Sequence, residues 1–242
     1  METIVAKVLH VEKAFGNKTV LRDISLELRK GENLVVLGKS GSGKSVLIKC
    51  LVGLLQPDAG SVELFGKEIS GLKKDELNML RKKAGFLFQS GALYDSMTVR
   101  ENLEFPLRGS GLYKREELKE LVLKTLKSVG LEEAIDQMPA ELSGGMRKRV
   151  GLARTLILKP EIILYDEPTT GLDPVTSKEI SQLILQVQSE YNTASIIITH
   201  DMECARITAN RILVIKDGEF HAEGSFAELK GSADPWVQSF FN

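Results

Sequence analysis

The sequence predicts an α/β fold: a mostly parallel sheet flanked by helices, with a helical segment inserted into it. Three observations carry this. Apolar runs at residues 33–37, 162–165 and 194–199 lack period-two alternation, as strands buried on both faces do. Segments of helical spacing follow or separate them, the pattern of βαβ units. Between about residues 97 and 159 the character changes. Leu118, Leu121, Val122, Leu126 and Val129 recur at helical spacing among charged residues, punctuated by Gly130 and Pro139.

The elements follow in order. Residues 3–11 and 19–28 read as strands. Residues 33–37 form the next, with Val35-Val36-Leu37 running into a glycine-rich turn. A helix is expected from residue 44 to about 55, ended by Gln56-Pro57-Asp58. Residues 85–88 read as a strand and 147–158 as a helix. After the strand at 162–165, a helix over 175–190 carries Ile180, Leu183, Ile184 and Val187, and 194–199 is a further strand. No internal repeat or flexible linker stands out.

Composition narrows the function. The 242 residues suffice for a full core without disulfide or metal staples. With 43% apolar and 27% charged residues, disorder is excluded as an overall description. The net charge of −1, from 32 basic and 33 acidic residues, provides no global basic field for nucleic acid. Cys50 and Cys204 form no metal-ligand spacing, and fit a reducing compartment. Residues 1–10 lack an apolar signal core. The longest uncharged run, 84–94, is 11 residues against the ~20 that a membrane helix needs, so the chain is not expected to span a membrane by itself.

The chemistry begins at Gly38-Lys39-Ser40-Gly41-Ser42-Gly43-Lys44-Ser45, which fits G-x-x-x-x-G-K-[ST] between a strand and a helix. Its glycines let backbone N–H groups surround phosphate oxygens, and the helix start adds its positive dipole end. Lys44 would reach the β- and γ-phosphates and Ser45 would offer a hydroxyl to Mg²⁺. The strand Ile162-Ile163-Leu164-Tyr165 delivers Asp166, a second Mg²⁺ candidate, at its carboxyl end. Glu167 beside it is placed to orient or deprotonate an attacking water. Leu142-Ser143-Gly144-Gly145-Met146 precedes the predicted helix 147–158, with Ser143 as a possible N-cap, and makes a second anion-binding helix terminus. One chain cannot easily bring both termini to one triphosphate; two chains arranged head to tail can.

With these residues assembled, the chain resembles the ATP-binding subunit of an ABC (ATP-binding cassette) transporter over about residues 5–229. The phosphate cradle, the LSGGM signature, Tyr165-Asp166-Glu167-Pro168, Gly171-Leu172-Asp173-Pro174 and His200-Asp201 occur in the family's order. The resemblance implies a P-loop NTPase core with an N-terminal antiparallel β subdomain and an inserted α-helical subdomain. In a single ABC ATPase domain, the RecA-like core and β subdomain would occupy residues 1–96 and 160–230, the helical signature subdomain 97–159, and a short tail 231–242. The cofactors implied are ATP and Mg²⁺. ATP would be held by Phe15, whose ring faces adenine, and by Gly38 through Val46. Ser45, Gln89 and Asp166 would ligate Mg²⁺; Glu167, His200, Gln89 and Lys44 would act at the γ-phosphate. Ser143, Gly144 and Gly145 would act on the partner chain's ATP, and Asp173 would lie in the loop that meets the opposite subunit of a homodimer. Val20 would pack near the base.

Within the family, Gly85-Phe86-Leu87-Phe88-Gln89-Ser90-Gly91-Ala92-Leu93-Tyr94-Asp95-Ser96-Met97-Thr98-Val99-Arg100-Glu101-Asn102 is similar to the ATPases of Mla-type phospholipid transport systems. Those work at the cytoplasmic face of the inner membrane with integral-membrane permease subunits and an MCE-domain lipid-binding protein. Leu93, Tyr94 and Met97 are candidates for contacting the permease; a small regulatory subunit is a further possible partner. The rival expectations are an ATPase serving lipoprotein release or amino-acid transport, and a soluble ABC protein without a permease. A GTP switch lacks its N-K-x-D element here.

Overall fold

The computed structural model describes residues 3–108 and 113–241. Residues 1–2, 109–112 and 242, which belong to the N-terminal, helical-insertion and tail expectations, lie outside the described residues. In chain order the elements are β1 (Ile4–Phe15), β2 (Lys18–Arg29), β3 (Asn33–Leu37), α1 (Lys44–Leu51), β4 (Ala59–Leu64), β5 (Lys67–Glu68), α2 (Lys74–Lys82), β6 (Ala84–Leu87), α3 (Val99–Glu104), α4 (Arg115–Ser128), α5 (Gly144–Leu156), β7 (Ile162–Asp166), α6 (Pro174–Tyr191), β8 (Ala194–Thr199), α7 (Met202–Thr208), β9 (Arg211–Lys216), β10 (Glu219–Gly224), α8 (Phe226–Lys230) and α9 (Pro235–Gln238).

Two sheets organise the molecule. An antiparallel sheet runs β2-β1-β4-β5, and a six-stranded sheet runs β10-β9-β3-β8-β7-β6. In the second, β9-β3-β8-β7-β6 are parallel and only β10 is antiparallel, on its hairpin partner β9. The strands β3 and β8 are buried along their whole length, which explains their continuous apolar sequences. Their side chains still divide by face. Val35, Leu37, Ile163, Tyr165 and Ile197 join a core with α3, α4, α5 and α6. Leu34, Val36, Ile162, Leu164, Ile196 and Ile198 join a second core with α1 and the antiparallel sheet. The expected mostly parallel α/β core, antiparallel sheet and inserted helices are therefore all present.

Several boundaries differ from the sequence reading for identifiable reasons. The helix expected to 55 stops at Leu51, because Gly53 turns left-handed at φ +67° and Arg81 caps the freed carbonyls of Val52 (2.9 Å) and Gly53 (2.7 Å). The helix expected from 147 starts at Gly144, because Ser143 Oγ accepts the Met146 N–H at 3.2 Å and the cap outweighs the low helix propensity of two glycines. The helix expected at 175–190 runs Pro174–Tyr191, with Asp173 as its cap, proline in its first turn and left-handed Asn192 at its end. The hairpin of β9 and β10 was not anticipated. Its signal was Asp217-Gly218 between an apolar run and an alternating one, and both turn residues have positive φ.

The segment entering the helical insertion is held by one side chain. Asn102 is fully buried on α3. Its Oδ1 accepts the Tyr94 N–H at 2.8 Å, and its Nδ2 lies 3.0–3.1 Å from the carbonyls of Tyr94, Met97 and Thr98. An Asn102→Ala variant strands these buried groups, so it is expected to lose about 2–4 kcal/mol of stability. Urea unfolding checks this, with a lowered midpoint at unchanged slope as the expected result.

Candidate functional site

The loop from β3 to α1 is shaped for an anion before any ligand is considered. Gly43 sits at φ +103°, and a Cβ there would lie 2.8 Å from the Val20 carbonyl, so no other residue fits. The start of α1 at Lys44 has no side-chain cap and no acidic residue in its first turn. Its N–H groups are left for an external acceptor. Lys44 is only 6% exposed, and its ammonium donates to the carbonyls of Gly38 (2.7 Å) and Lys39 (3.0 Å). Burial lowers its pKa, opposed by nearby Glu167 and Asp166. The Ser42 hydroxyl is buried in the same cradle without a partner. The N–H groups at the start of α1 and the Ser42 hydroxyl are thus donors without an acceptor, a set that phosphate oxygens would satisfy.

Opposite the loop, β7 carries Asp166 to the same end of the sheet. The Ser45 hydroxyl donates to Asp166 Oδ1 at 3.1 Å, so the two expected Mg²⁺ ligands already touch. Burial raises the Asp166 pKa, partly offset by the Ser45 bond. Glu167 follows in left-handed backbone, φ +52°, a strained conformation for a residue with a side chain. Its N–H is held by the Ile198 carbonyl at 2.9 Å. Its Oε2 accepts from the Thr170 hydroxyl at 3.2 Å and lies 2.8 Å from His200 Nδ1, at the end of β8. Glu167 Oε1 is 4.0 Å from the Lys44 ammonium. Lys44, Ser45, Glu167, Thr170 and His200 line one cavity of about 690 Å³ together with Gln89 and Val46. The volume suits a nucleotide-sized ligand.

The structure thus gathers Gly38, Lys39, Ser40, Gly41, Gly43, Lys44, Ser45, Val46, Gln89, Glu167 and His200 on one cavity, with Asp166 bonded to Ser45. Ser42 lines a neighbouring cavity of about 680 Å³ that shares Val20, Lys39, Ser40 and Gly41 with the first. Phe15, expected against adenine, lines neither. It sits half-exposed at the end of β1 with the Lys13 ammonium 5.7 Å from its ring centroid. Ser143, Gly144 and Gly145 also line neither cavity. They cap α5, where a Cβ on Gly145 would come 2.5 Å from Thr176 Cγ2 of α6. Asp173 caps α6, accepting from the N–H groups of Val175 and Thr176 and from the Thr176 hydroxyl at 2.6 Å. That hydroxyl holds its carboxyl below the ordinary aspartate range. Asp201 caps α7 and accepts from the Thr169 hydroxyl at 2.8 Å, tying the strand ends of β7 and β8 together.

Beyond Thr170 and Met202, which also line the first cavity, two contributors were missed by the sequence reading. Lys148, on the buried face of α5, donates its ammonium to the Glu167 carbonyl at 3.2 Å. Burial lowers its pKa. The available signal was a lysine in line with Gly145 and Leu152, on the stripe that faces the core. The second is the C-terminal segment, whose Ser239 and Phe240 line the first cavity and whose Trp236 lines the second.

A family model described as ABC transporter matches residues 21–170 of this sequence, from β2 through the strand that carries Asp166. The chain belongs to the ABC transporter family. Its activity class is accordingly an ATP hydrolase, and its fold that of the P-loop NTPase cassette. This cassette is 39% identical over 239 residues to the probable ribonucleotide transport ATP-binding protein mkl of Mycobacterium leprae (strain TN), covering 99% of this chain and 69% of that protein. It is 39% identical over 246 residues to the protein trigalactosyldiacylglycerol 3, chloroplastic, of Arabidopsis thaliana, covering 95% of this chain and 71% of that one. The cassette thus spans about two thirds of the length of these relatives. Among solved structures, the dimeric post-hydrolysis state of the ATP-binding cassette MJ0796, bound to ADP and Pi, is similar at a TM-score of 0.83 and 34% identity, over 91% of this chain and 98% of that one.

The Lys148 contact generates a test. Lys148→Met removes the donor that fixes the strained Glu167 backbone and is expected to lower kcat about 10–100-fold, the worth of a charged hydrogen bond, with KM for ATP unchanged. Lys148→Arg is expected to restore most of kcat. Steady-state ATPase kinetics on both variants check this.

Proposed function

We propose that this cassette works as a head-to-tail homodimer that binds and hydrolyses ATP to power a membrane transporter, with phospholipid as its cargo. The observation that carries the reading is the division of the anion-binding termini. The α1 terminus opens into a cavity with Glu167 and His200 around it and Asp166 behind Ser45, whereas the α5 terminus at Ser143, Gly144 and Gly145 lines no part of that cavity. A second copy supplies the missing terminus. Lys44 and the Gly38–Gly43 backbone then hold the triphosphate, and Ser143, Gly144 and Gly145 of the partner close over it. Asp173 lies at the facing loop.

Mg²⁺ fits the donor set of Ser45, Asp166 and Gln89, all oxygen ligands, and when bound it would neutralise charge on the phosphates. Glu167 orients the attacking water and accepts its proton, and His200 Nδ1, 2.8 Å away, fixes the carboxylate in place. Dimer closure excludes water, and hydrolysis followed by release reopens the pair. Binding favours the closed state by its differential affinity, which is the source of the work. In this reading residues 97–159 act as the signature-bearing subdomain of the domain outlined above.

The transporter partner is a set of integral-membrane permease subunits, and the cassette is peripheral on the cytoplasmic face of the inner membrane. Among the described residues, no helix is long and apolar enough to cross a membrane. The docking face is the loop from Gln89 to Met97. There Tyr94 is exposed between the Phe105 ring (4.6 Å) and the Arg154 guanidinium (5.5 Å), and Leu93 and Met97 are half-buried. Arg154 also donates to the Ala92 carbonyl at 2.8 Å, linking this loop to the signature helix α5. The phospholipid cargo is supported by the sequence of this loop and by the lipid in the name of the Arabidopsis relative; the mycobacterial relative's name points to ribonucleotides instead. An MCE-domain lipid-binding protein completes the complex, and a small regulatory subunit is a further candidate member.

Glu167→Gln is expected to bind ATP normally and to lose about 10²–10⁴-fold in turnover. Unchanged hydrolysis would remove Glu167 from its role. Ser143→Arg is expected to bind ATP as a single chain and to form no ATP-trapped dimer on size-exclusion chromatography. For cargo, an ATP-loaded Glu167→Gln pull-down from solubilised native membranes, read by mass spectrometry, should recover a multi-span permease with an MCE-domain protein. A different permease would overturn the lipid reading, and soluble partners alone would overturn the transporter reading.

A further inference from the structure

The C-terminal segment ends beside the phosphate-binding loop, and it is built to stay there. Val237 of α9 is fully buried in the helix-packed core. Asp234 caps α9 through the Trp236 N–H (2.8 Å), and its other oxygen lies 2.7 Å from His221 Nε2 on β10. The Gln238 amide donates to the carbonyls of Lys230 (2.6 Å) and Ser232 (2.9 Å). Phe241 packs edge-on against Phe226, with ring centroids 5.2 Å apart. These contacts fix the segment together with the two rings that concern the site: both rest partly on the helix-packed core, and one meets the His221 ring edge-on at 5.1 Å between centroids.

Those rings are Trp236 and Phe240, which meet edge to face with centroids 5.0 Å apart. Phe240 lines the cavity that holds Lys44 and Glu167. Trp236 lines the adjoining cavity, whose other walls are the start of β2, the tip of the phosphate loop and the β9–β10 turn. The Lys216 ammonium sits 4.8 Å from the Trp236 ring centroid and orients it. A phosphate needs N–H donors and cations, which the loop and Lys44 already supply. A pair of flat apolar rings meets no need of a phosphate, but it matches a purine or ribose face. The two cavities share Val20, Lys39, Ser40 and Gly41, so a nucleotide with its terminal phosphates on Lys44 passes these residues on its way out.

We propose that the C-terminal segment is a wall of the nucleotide site, with Trp236 and Phe240 contacting the nucleoside portion of bound ATP. The proposal rests on the cassette reading above and adds to it a base-side subsite formed by the chain's own tail. Nucleotide binding and tail docking then stabilise each other, since each completes a surface that the other uses.

Trp236 is the chain's only tryptophan, so its emission reports this wall directly. The experiment titrates the full chain with Mg-ATP, Mg-ADP and Mg-tripolyphosphate, following Trp236 fluorescence, with calorimetry as an independent measure of binding. The nucleotides are expected to change the emission saturably at the calorimetric Kd, and tripolyphosphate to bind while leaving it unchanged. Phe240→Ala and Trp236→Ala are expected to raise the Kd for ATP about 3–10-fold, the worth of an aromatic contact, with no change for tripolyphosphate. Thermal melts identify any variant that fails to fold, and Trp236→Phe is expected to recover wild-type affinity. ATP bound by calorimetry with silent Trp236 emission and unaltered affinity in the variants would overturn the proposal and leave the cassette standing. No ATP binding by the wild-type chain would overturn the cassette reading itself.

Discussion

The in-register parallel pairing of β3, β8 and β7 is the constraint on which the rest depends. Parallel strands point their carboxyl ends the same way, and ligands gather there. Leu37 pairs with Thr199, and Asp166 pairs with Ile198. The residues that follow, the phosphate loop, Glu167 and His200, must therefore emerge side by side. Everything chemical in this protein hangs from that edge. The backbone strain at Glu167 is tolerated because the Ile198 carbonyl, the Lys148 ammonium and the His200 ring each hold part of the same residue.

The fold was legible where local and tertiary signals coincide. Strands β3, β7 and β8 are apolar along their length because both faces are buried, and no other element explains such runs. The phosphate loop was legible because its glycine at φ +103° and its lysine answer to backbone geometry alone. Boundaries were less so. Residue propensity places two glycines outside a helix, yet Gly144 and Gly145 open α5: the Ser143 cap is a local signal that outweighs it, while the close approach of Gly145 to Thr176 is a tertiary fact. Lys148 was hard to read: its place on the core-facing stripe of α5 was the one signal, and a lysine in a basic run reads as solvated until the Glu167 carbonyl is seen at its end. Phe15 is legible as a motif position, and the fold sets its ring half-exposed at the end of β1.

The helical insertion is connected to the catalytic edge by polar contacts rather than by packing alone. Arg154 reaches the Ala92 carbonyl, Lys148 reaches the Glu167 carbonyl, and Asn102 gathers the loop from Tyr94 to Thr98. All three polar links start on helices of the insertion, and two start on α5, the helix whose other end carries Ser143. A displacement of α5 is thus felt at the Glu167 backbone and at the exposed loop together. Mechanical transmission in this molecule is a property of one helix with polar attachments at several points.

The division of each buried strand between two cores has an evolutionary corollary. In β3, Val35 and Leu37 serve one core while Leu34 and Val36 serve the other. All four are aliphatic, so exchanges among valine, isoleucine and leucine change volume slightly and leave the architecture intact. A change of strand length is different in kind. Adding or deleting one residue swaps every side chain to the opposite core and displaces Gly38 by a full pleat relative to Asp166. This strand is free to drift in composition but frozen in length, so its descendants are expected to diverge by substitution and to accumulate insertions only in the connections beyond its ends.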